Sequence, residues 1–253
     1  EPQSVTEARN TRRALENFHG KEDAAAVAAA MPHLGSPDRF LRHAARVAIE
    51  SQPAAQWADE VLKATDTQAR IAGAVALART GDPAAYRAPL LTSLLELDPA
   101  ALEDSQLLGL LRAYALKFLR LGRPDPAERE AVIAELDPLF PHRNPDVNTE
   151  LVQVLVYLEA PSVVEKTMSL IVNRGEPRIP DWKELASRNP GYGGTVLEVL
   201  NNHPPTQEIG YAFMLRNMKK NWKIAERRSY FEFLNEAAKF KGGASYTGFL
   251  TNL

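Results

Sequence analysis

Cysteine is absent from all 253 residues. Its absence excludes disulfides, thiolate metal sites, covalent c-type haem attachment and cysteine nucleophiles within this chain. Long apolar runs are missing as well. Stretches such as Leu151 to Leu158 fall far short of the ~20 residues needed to cross a bilayer. The five histidines, His19, His33, His43, His142 and His203, form neither HExxH nor a close pair on one helix face, so no metal site is expected. No phosphate-binding P-loop or dinucleotide fingerprint occurs, and no cofactor is expected. No segment alternates with period two among β-branched residues, which leaves little basis for a sheet. Net charge is −2, giving no overall pull toward nucleic acid or an anionic membrane. No signal-peptide pattern is visible. A start at Glu1 without Met and an end at Leu253 lead us to expect a processed or excised segment of a longer protein.

What the chain has is a recurrence. Leu41-Arg42-x-x-Ala45-x-x-Ala48-Ile49 is echoed 28 residues later by Ala69-Arg70-x-x-Gly73-x-x-Ala76-Leu77. Small or apolar residues at spacings of four and three keep one stripe on one helix face. A unit so short cannot bury its apolar face alone, so repetition implies stacked neighbours and an α-solenoid. With 45% hydrophobic and 25% charged residues, the composition is that of an ordered globular protein.

Prolines punctuate the pattern. Ser36-Pro37, Asp82-Pro83, Asp98-Pro99, Asp125-Pro126 and Asn144-Pro145 each put an N-cap residue before a Pro suited to the first helical position. Gln52-Pro53 and Ala160-Pro161 read as starts with weaker caps. Helices are predicted over residues 5–18, 22–33, 37–51, 54–64, 67–80, 83–96, 104–121, 126–136, 146–159 and 161–173. After a stretch rich in Gly, Pro and Asn, more follow over 193–202, 205–219, 223–240 and 245–252. The expected fold is all-α, one solenoid domain over 1–253, with a change of packing near 175–194 and an aromatic-rich helical cap over 195–253.

The C-terminal part is basic: residues 205–253 hold eight Lys or Arg against four Asp or Glu. Arg216, Lys219, Lys220, Lys223, Arg227 and Arg228 supply most of the excess, as a solvated helix face or as a contact surface. Tyr211, Phe213, Trp222, Tyr230, Phe231, Phe233 and Phe240 gather in the same region, either as a larger closing core or as a partly exposed docking surface.

The run Pro37 to Ile49, with Asp38 at a helix start and Arg42 after the first core position, resembles the second helix of a HEAT repeat. Asn144-Pro145-Asp146-Val147-Asn148 to Leu158 looks like a degenerate copy. A spacing of 28 residues is short beside the usual ~40 to 47 and implies a compact, divergent HEAT-like repeat. The runs Leu107 to Gly122, Leu155 to Pro161 and Gly242 to Leu250 are similar to large secreted multidomain proteins of planctomycete-type bacteria. In these a HEAT-like module sits beside a β-propeller dehydrogenase-like domain and a c-type cytochrome domain. The resemblance implies an extracytoplasmic setting and a scaffold between other domains.

Candidate chemistry is sparse. Glu22-Asp23 and Glu103-Asp104 read as helix-start charges that complement the helix dipole. Gly191 to Thr195 and Lys241 to Ser245 read as capping turns, with an anion site as the alternative. Arg42, Arg46 and Arg70 lie outside the apolar stripe. We read Arg42 as pairing with Asp38 one turn earlier, the alternative being a surface that grips carboxylates or phosphates. The expected function is a non-catalytic scaffold or protein-interaction module, with Arg42, Arg46, Arg70, Arg216, Lys219, Lys220 and Lys223 as contact residues and a protein or neighbouring domain as partner. One alternative is a nucleic-acid-binding HEAT-like protein. Another is a helical-repeat enzyme acting on a sugar or base, with Trp57, Trp182 or Trp222 as platform.

Overall fold

The computed structural model describes residues 3–175, 204–240 and 243–251. Among them every regular element is helical. The expected helix over 193–202, the glycine turn at 191–195 and Trp182 lie outside the described residues. So does most of the 175–194 stretch. The chain forms two compact units, Glu1–Leu139 and Phe140–Leu253.

The first unit holds α1 (Gln3–Glu16), α2 (Ala26–Ala30), α3 (Arg39–Glu50), α4 (Ala58–Leu62), α5 (Thr67–Thr80), α6 (Pro83–Leu95), α7 (Asp104–Arg120) and α8 (Pro126–Leu136). Helices α1, α3, α5 and α7 stand side by side in chain order. Against them pack α2 on α3, α4 on α5 and α6 on α7, while α6 also touches α4 and α8. The expected small stripe lies in this seam: Ala45, Ala48 and Ile49 of α3 and Gly73, Ala76 and Leu77 of α5 are buried. Its smallness is needed. A Cβ on Gly73 would sit 2.3 Å from Val61 Cβ of α4, and one on Gly109 of α7 would sit 2.8 Å from Ile71 Cγ2 of α5. Helix axes brought this close leave no room for a methyl group.

Caps explain the helix starts. Asp82 accepts from Ala84 N, Asp125 from Glu128 N and Asn144 from Asp146 N, as their Pro pairs predict. Asp98 does the same for a 3₁₀ turn at Pro99–Ala101. Ser36-Pro37 is a correction. The N-cap is Asp38, whose carboxylate takes Phe40 N at 2.8 Å. Ser36 Oγ instead accepts from Asp38 N, which leaves Pro37 outside the helix. Ala160-Pro161 is likewise displaced, since the helix begins at Val163. The predicted 22–33 helix shrinks to Ala26–Ala30 followed by a 3₁₀ turn, Met31–His33. Pro32 lacks the N–H that would continue the α-ladder.

The second unit contains α9 (Pro145–Tyr157), α10 (Val163–Val172), α11 (Thr206–Leu215), α12 (Ile224–Ala237) and α13 (Gly243–Thr251). Helix α10 is its hub, touching α9, α11 and α12. The aromatics divide. Tyr211, Tyr230 and Phe233 are buried, whereas Phe231 is 62% exposed. Tyr230 donates its hydroxyl to Ala212 O at 3.0 Å, tying α12 to α11. Trp222 meets the Tyr230 ring edge-on at 5.3 Å.

Candidate functional site

The arginines of the repeat are turned to internal work. Arg42 Nη1 donates to the carbonyls of Ser36 at 2.6 Å and Pro37 at 3.0 Å. It latches the chain that leads into α3 and does not pair with Asp38, whose carboxylate is occupied by the cap. Arg70 does the equivalent for α5, its Nε donating to Ala64 O at 2.8 Å. Its Nη1 also pairs with Glu96 at 3.0 Å. In both copies the cap stands at one position, the latch four residues later and the gripped carbonyl two residues before the cap. The start of α9 has the same geometry with other chemistry: Asn144 caps, and Asn148 Nδ2 donates to His142 O at 2.6 Å. Arg46 ion-pairs with Glu50, which also takes Arg79 at 3.0 Å.

A buried ionic group crosses three helices of the first unit. Lys117 is fully buried on α7, with Nζ 3.3 Å from Glu128 Oε2 on α8. The same oxygen takes Arg87 Nη2 of α6 at 2.8 Å and Asp125 N at 3.1 Å. Burial lowers the Lys117 ammonium pKa, against the pull of Glu128. Burial pushes the Glu128 carboxyl up, but the hydrogen bonds from Arg87, Asp125 N and Lys117 bring it below the ordinary glutamate value. An enclosed lysine already bound to a carboxylate fastens helices together. Its signal was present in the sequence, because Lys117 falls three and seven residues after Tyr114 and Leu110, on the core stripe of α7.

Beside this group, Tyr114 OH donates to Glu135 Oε2 at 2.9 Å. Burial raises the Glu135 carboxyl to about 7, and the charge of Asp98 adds to the rise. Three of the histidines are engaged locally. His19 Nε2 lies 2.9 Å from Ala44 O, His43 Nδ1 lies 3.1 Å from Arg46, and His142 Nδ1 accepts from Asn144 N. Among the described residues no group of His, Asp or Glu is arranged to hold a metal ion.

Of the platform tryptophans, Trp57 is 1% exposed and donates Nε1 to Gln52 O. Trp222 is half-buried and donates to Met218 O. Neither presents an open face comparable to Phe231. A cleft of about 380 Å³ between α1 and α3 is lined by Val5, Arg9, Arg12, Asp38, Phe40 and Leu41, among others. Its carboxylate is the α3 cap.

The basic residues of the second unit divide too. Arg216 lies over the Phe213 ring at 3.9 Å. Lys223 pairs with Glu165 of α10 at 2.6 Å, which raises the lysine pKa and lowers that of the glutamate. Lys219, Lys220, Arg227 and Arg228 are exposed, and their side chains have no partner among the described residues. Between and beside them α12 presents two large apolar side chains to solvent, Ile224 at 83% and Phe231 at 62% exposure. This is a surface of the second unit where unpaired charges stand beside exposed apolar side chains. Sequence reasoning picked its charges and named Phe231 among the aromatics, but missed Ile224.

The chain is thus an all-α protein in which no described helix is long and apolar enough to cross a membrane. Comparison with protein-family models, curated proteins and solved structures finds no match.

Proposed function

We propose that this chain is a non-catalytic helical-repeat interaction module, built of compact HEAT-like hairpins and set in a larger extracytoplasmic protein. The observation that carries the reading is the exposed pairing of Ile224 and Phe231 with unpartnered basic side chains on α12. Exposed apolar side chains rimmed by unpaired charge supply the two components of a docking surface, an apolar centre and a polar rim. The repeat reading is supported by the side-by-side order of α1, α3, α5 and α7 and by the shared cap and latch of α3 and α5. The extracytoplasmic setting rests on the sequence resemblance alone.

The test is lysine cross-linking of the folded chain with purified candidate neighbours, mapped by mass spectrometry. An interaction module yields partner-specific cross-links on one face, with Lys219, Lys220 and Lys239 in the second unit expected to react. A cross-link pattern that is the same with every added protein, or empty with all of them, would overturn the reading.

A further inference from the structure

On α12, Ile224, Phe231 and Ala238 follow at intervals of seven. Ala238 is the C-cap residue and is exposed like the other two. Positions seven apart on an α-helix drift by only about 20° per step, so the three form a strip about 40° wide along the solvent face. Tyr230, Phe233 and Ala237 are buried against the unit, centred about 120° round the helix from the strip, and the Phe231 ring meets Tyr230 edge-on at 5.6 Å along that border. Flanking the strip, and exposed with it, are Arg227, Arg228 and Lys239 against Glu232; Glu236, also exposed one turn on, is held by Arg174. Lys219 and Lys220 stand in the connection just before α12.

Resting on the interaction-module reading, we propose that this strip is a seam for one acidic amphipathic helix of a protein partner. The seven-residue interval supplies one of the two lines of a paired-helix seam; the alternate positions hold Arg227, Arg228, Leu234 and Asn235, so charge beside a single apolar line chooses the partner. The basic flanks select glutamate or aspartate on the incoming helix.

A membrane surface is the poorer fit. Helices that lie in lipid headgroups turn an apolar face of roughly 100° or more outward. Here the broad apolar face points inward and the outward strip is narrow, with Glu232 beside it. A parallel pair of two copies is disfavoured because it would set Arg227 and Arg228 against like charges. Bare phosphate recognition leaves Ile224 and Phe231 without a role. A seam of about two heptads buries less than the ~1,200 Å² at the lower edge of standard interfaces, so binding is weak and salt-sensitive.

The experiment uses the folded chain and a fluorescent designed helix with Leu at the heptad core positions and Glu at the flanking ones. Anisotropy is read at low and high salt. Controls are a scrambled peptide of the same composition, a Lys-flanked version, vesicles of phosphatidylcholine with phosphatidylglycerol, and a short mixed-sequence DNA duplex. The Glu-flanked helix binds, salt weakens it, and Phe231→Asp and the pair Arg227→Glu with Arg228→Glu each weaken it by about tenfold or more. Circular dichroism shows these variants still folded, since the substituted side chains are exposed.

Equal binding of the scrambled peptide overturns the seam, as does undiminished binding by Phe231→Asp. Preference for vesicles or duplex overturns it in favour of lipid or nucleic acid, and self-association abolished by Phe231→Asp in favour of a homodimer. If the designed helix fails to bind while partner cross-links map to another face, the seam alone falls and the interaction-module reading stands.

Discussion

Tyr114 donates its hydroxyl to one oxygen of Glu135 at 2.9 Å, while the other carboxylate oxygen, Oε1, is buried and has no partner among the described residues. Burial of the carboxyl favours the neutral acid, and the Tyr114 hydrogen bond opposes it only in part.

The pH dependence follows from that pair. The folded-state pKa of Glu135 is raised to about 7 by burial, above its unfolded value. The folded state therefore holds the proton more tightly, and stability falls as pH rises from the ordinary glutamate range to about 7, then levels off. His43, lowered by burial and by Arg46, acts with the opposite sign near its own titration. Glu135→Gln keeps an acceptor for Tyr114 and removes the ionisation. Urea unfolding from pH 5 to 8 will show the variant gaining on the wild type as pH rises. A constant difference between the two would contradict the assignment.

Removing Glu128 leaves Lys117 as a buried charge without its carboxylate. Glu128→Gln is expected to destabilise the protein by about 3–5 kcal/mol, whereas Lys117→Met, which fills similar volume with no charge, costs much less. Chemical denaturation of both single variants and the double variant checks this. Equal costs for the two single changes would show that the ion pair is not what the site depends on.

Gly73→Ala places a methyl group on Val61 at 2.3 Å. Alanine favours a helix over glycine by about 1 kcal/mol, but overpacking here costs about 1–3 kcal/mol. The net change is a loss, read as a lowered urea midpoint. A stabilised variant would mean that α4 can shift away freely.

Arg70→Ala strips donors from Ala64 O and breaks the pair with Glu96, with an expected cost of about 1–2 kcal/mol. Asn148→Ala should cost at least as much, because Asn148 is 5% exposed and bonds both the N–H and the carbonyl of His142. Differential scanning calorimetry of each variant, with Arg70→Lys as comparison, measures the latches. Lysine should restore only part of the loss, since it lacks the forked guanidinium.

Much of this architecture was legible in the residues. The Asp-Pro and Asn-Pro pairs marked helix starts because a cap and a fixed φ act within a few residues, without tertiary context. The small stripe of Ala45, Ala48, Gly73 and Ala76 marked the packed face for the same reason. Ser36-Pro37 misled because two cap-competent residues, Ser36 and Asp38, flank one proline, and local rules rank them equally. The roles of Arg42 and Arg70 were not readable from spacing. An arginine one turn after an aspartate has a carboxylate and a backbone carbonyl both in reach, and the cap decides between them by occupying the carboxylate first. Ile224 was missed because it opens a helix whose apolar residues look uniformly inward until packing shows that Tyr230 and Phe233 are buried while Phe231 is not.

The latches grip carbonyl oxygens, which every residue carries. Ser36, Ala64 and His142 share nothing as side chains, yet each supplies the same oxygen to a donor six residues ahead. Such a joint does not depend on the side chain at the gripped position, and the gripping residue is arginine at two of the joints and asparagine at the third. Segments tied this way differ in wording and hold one geometry, so the interval from cap to latch describes the joint better than any consensus of residues.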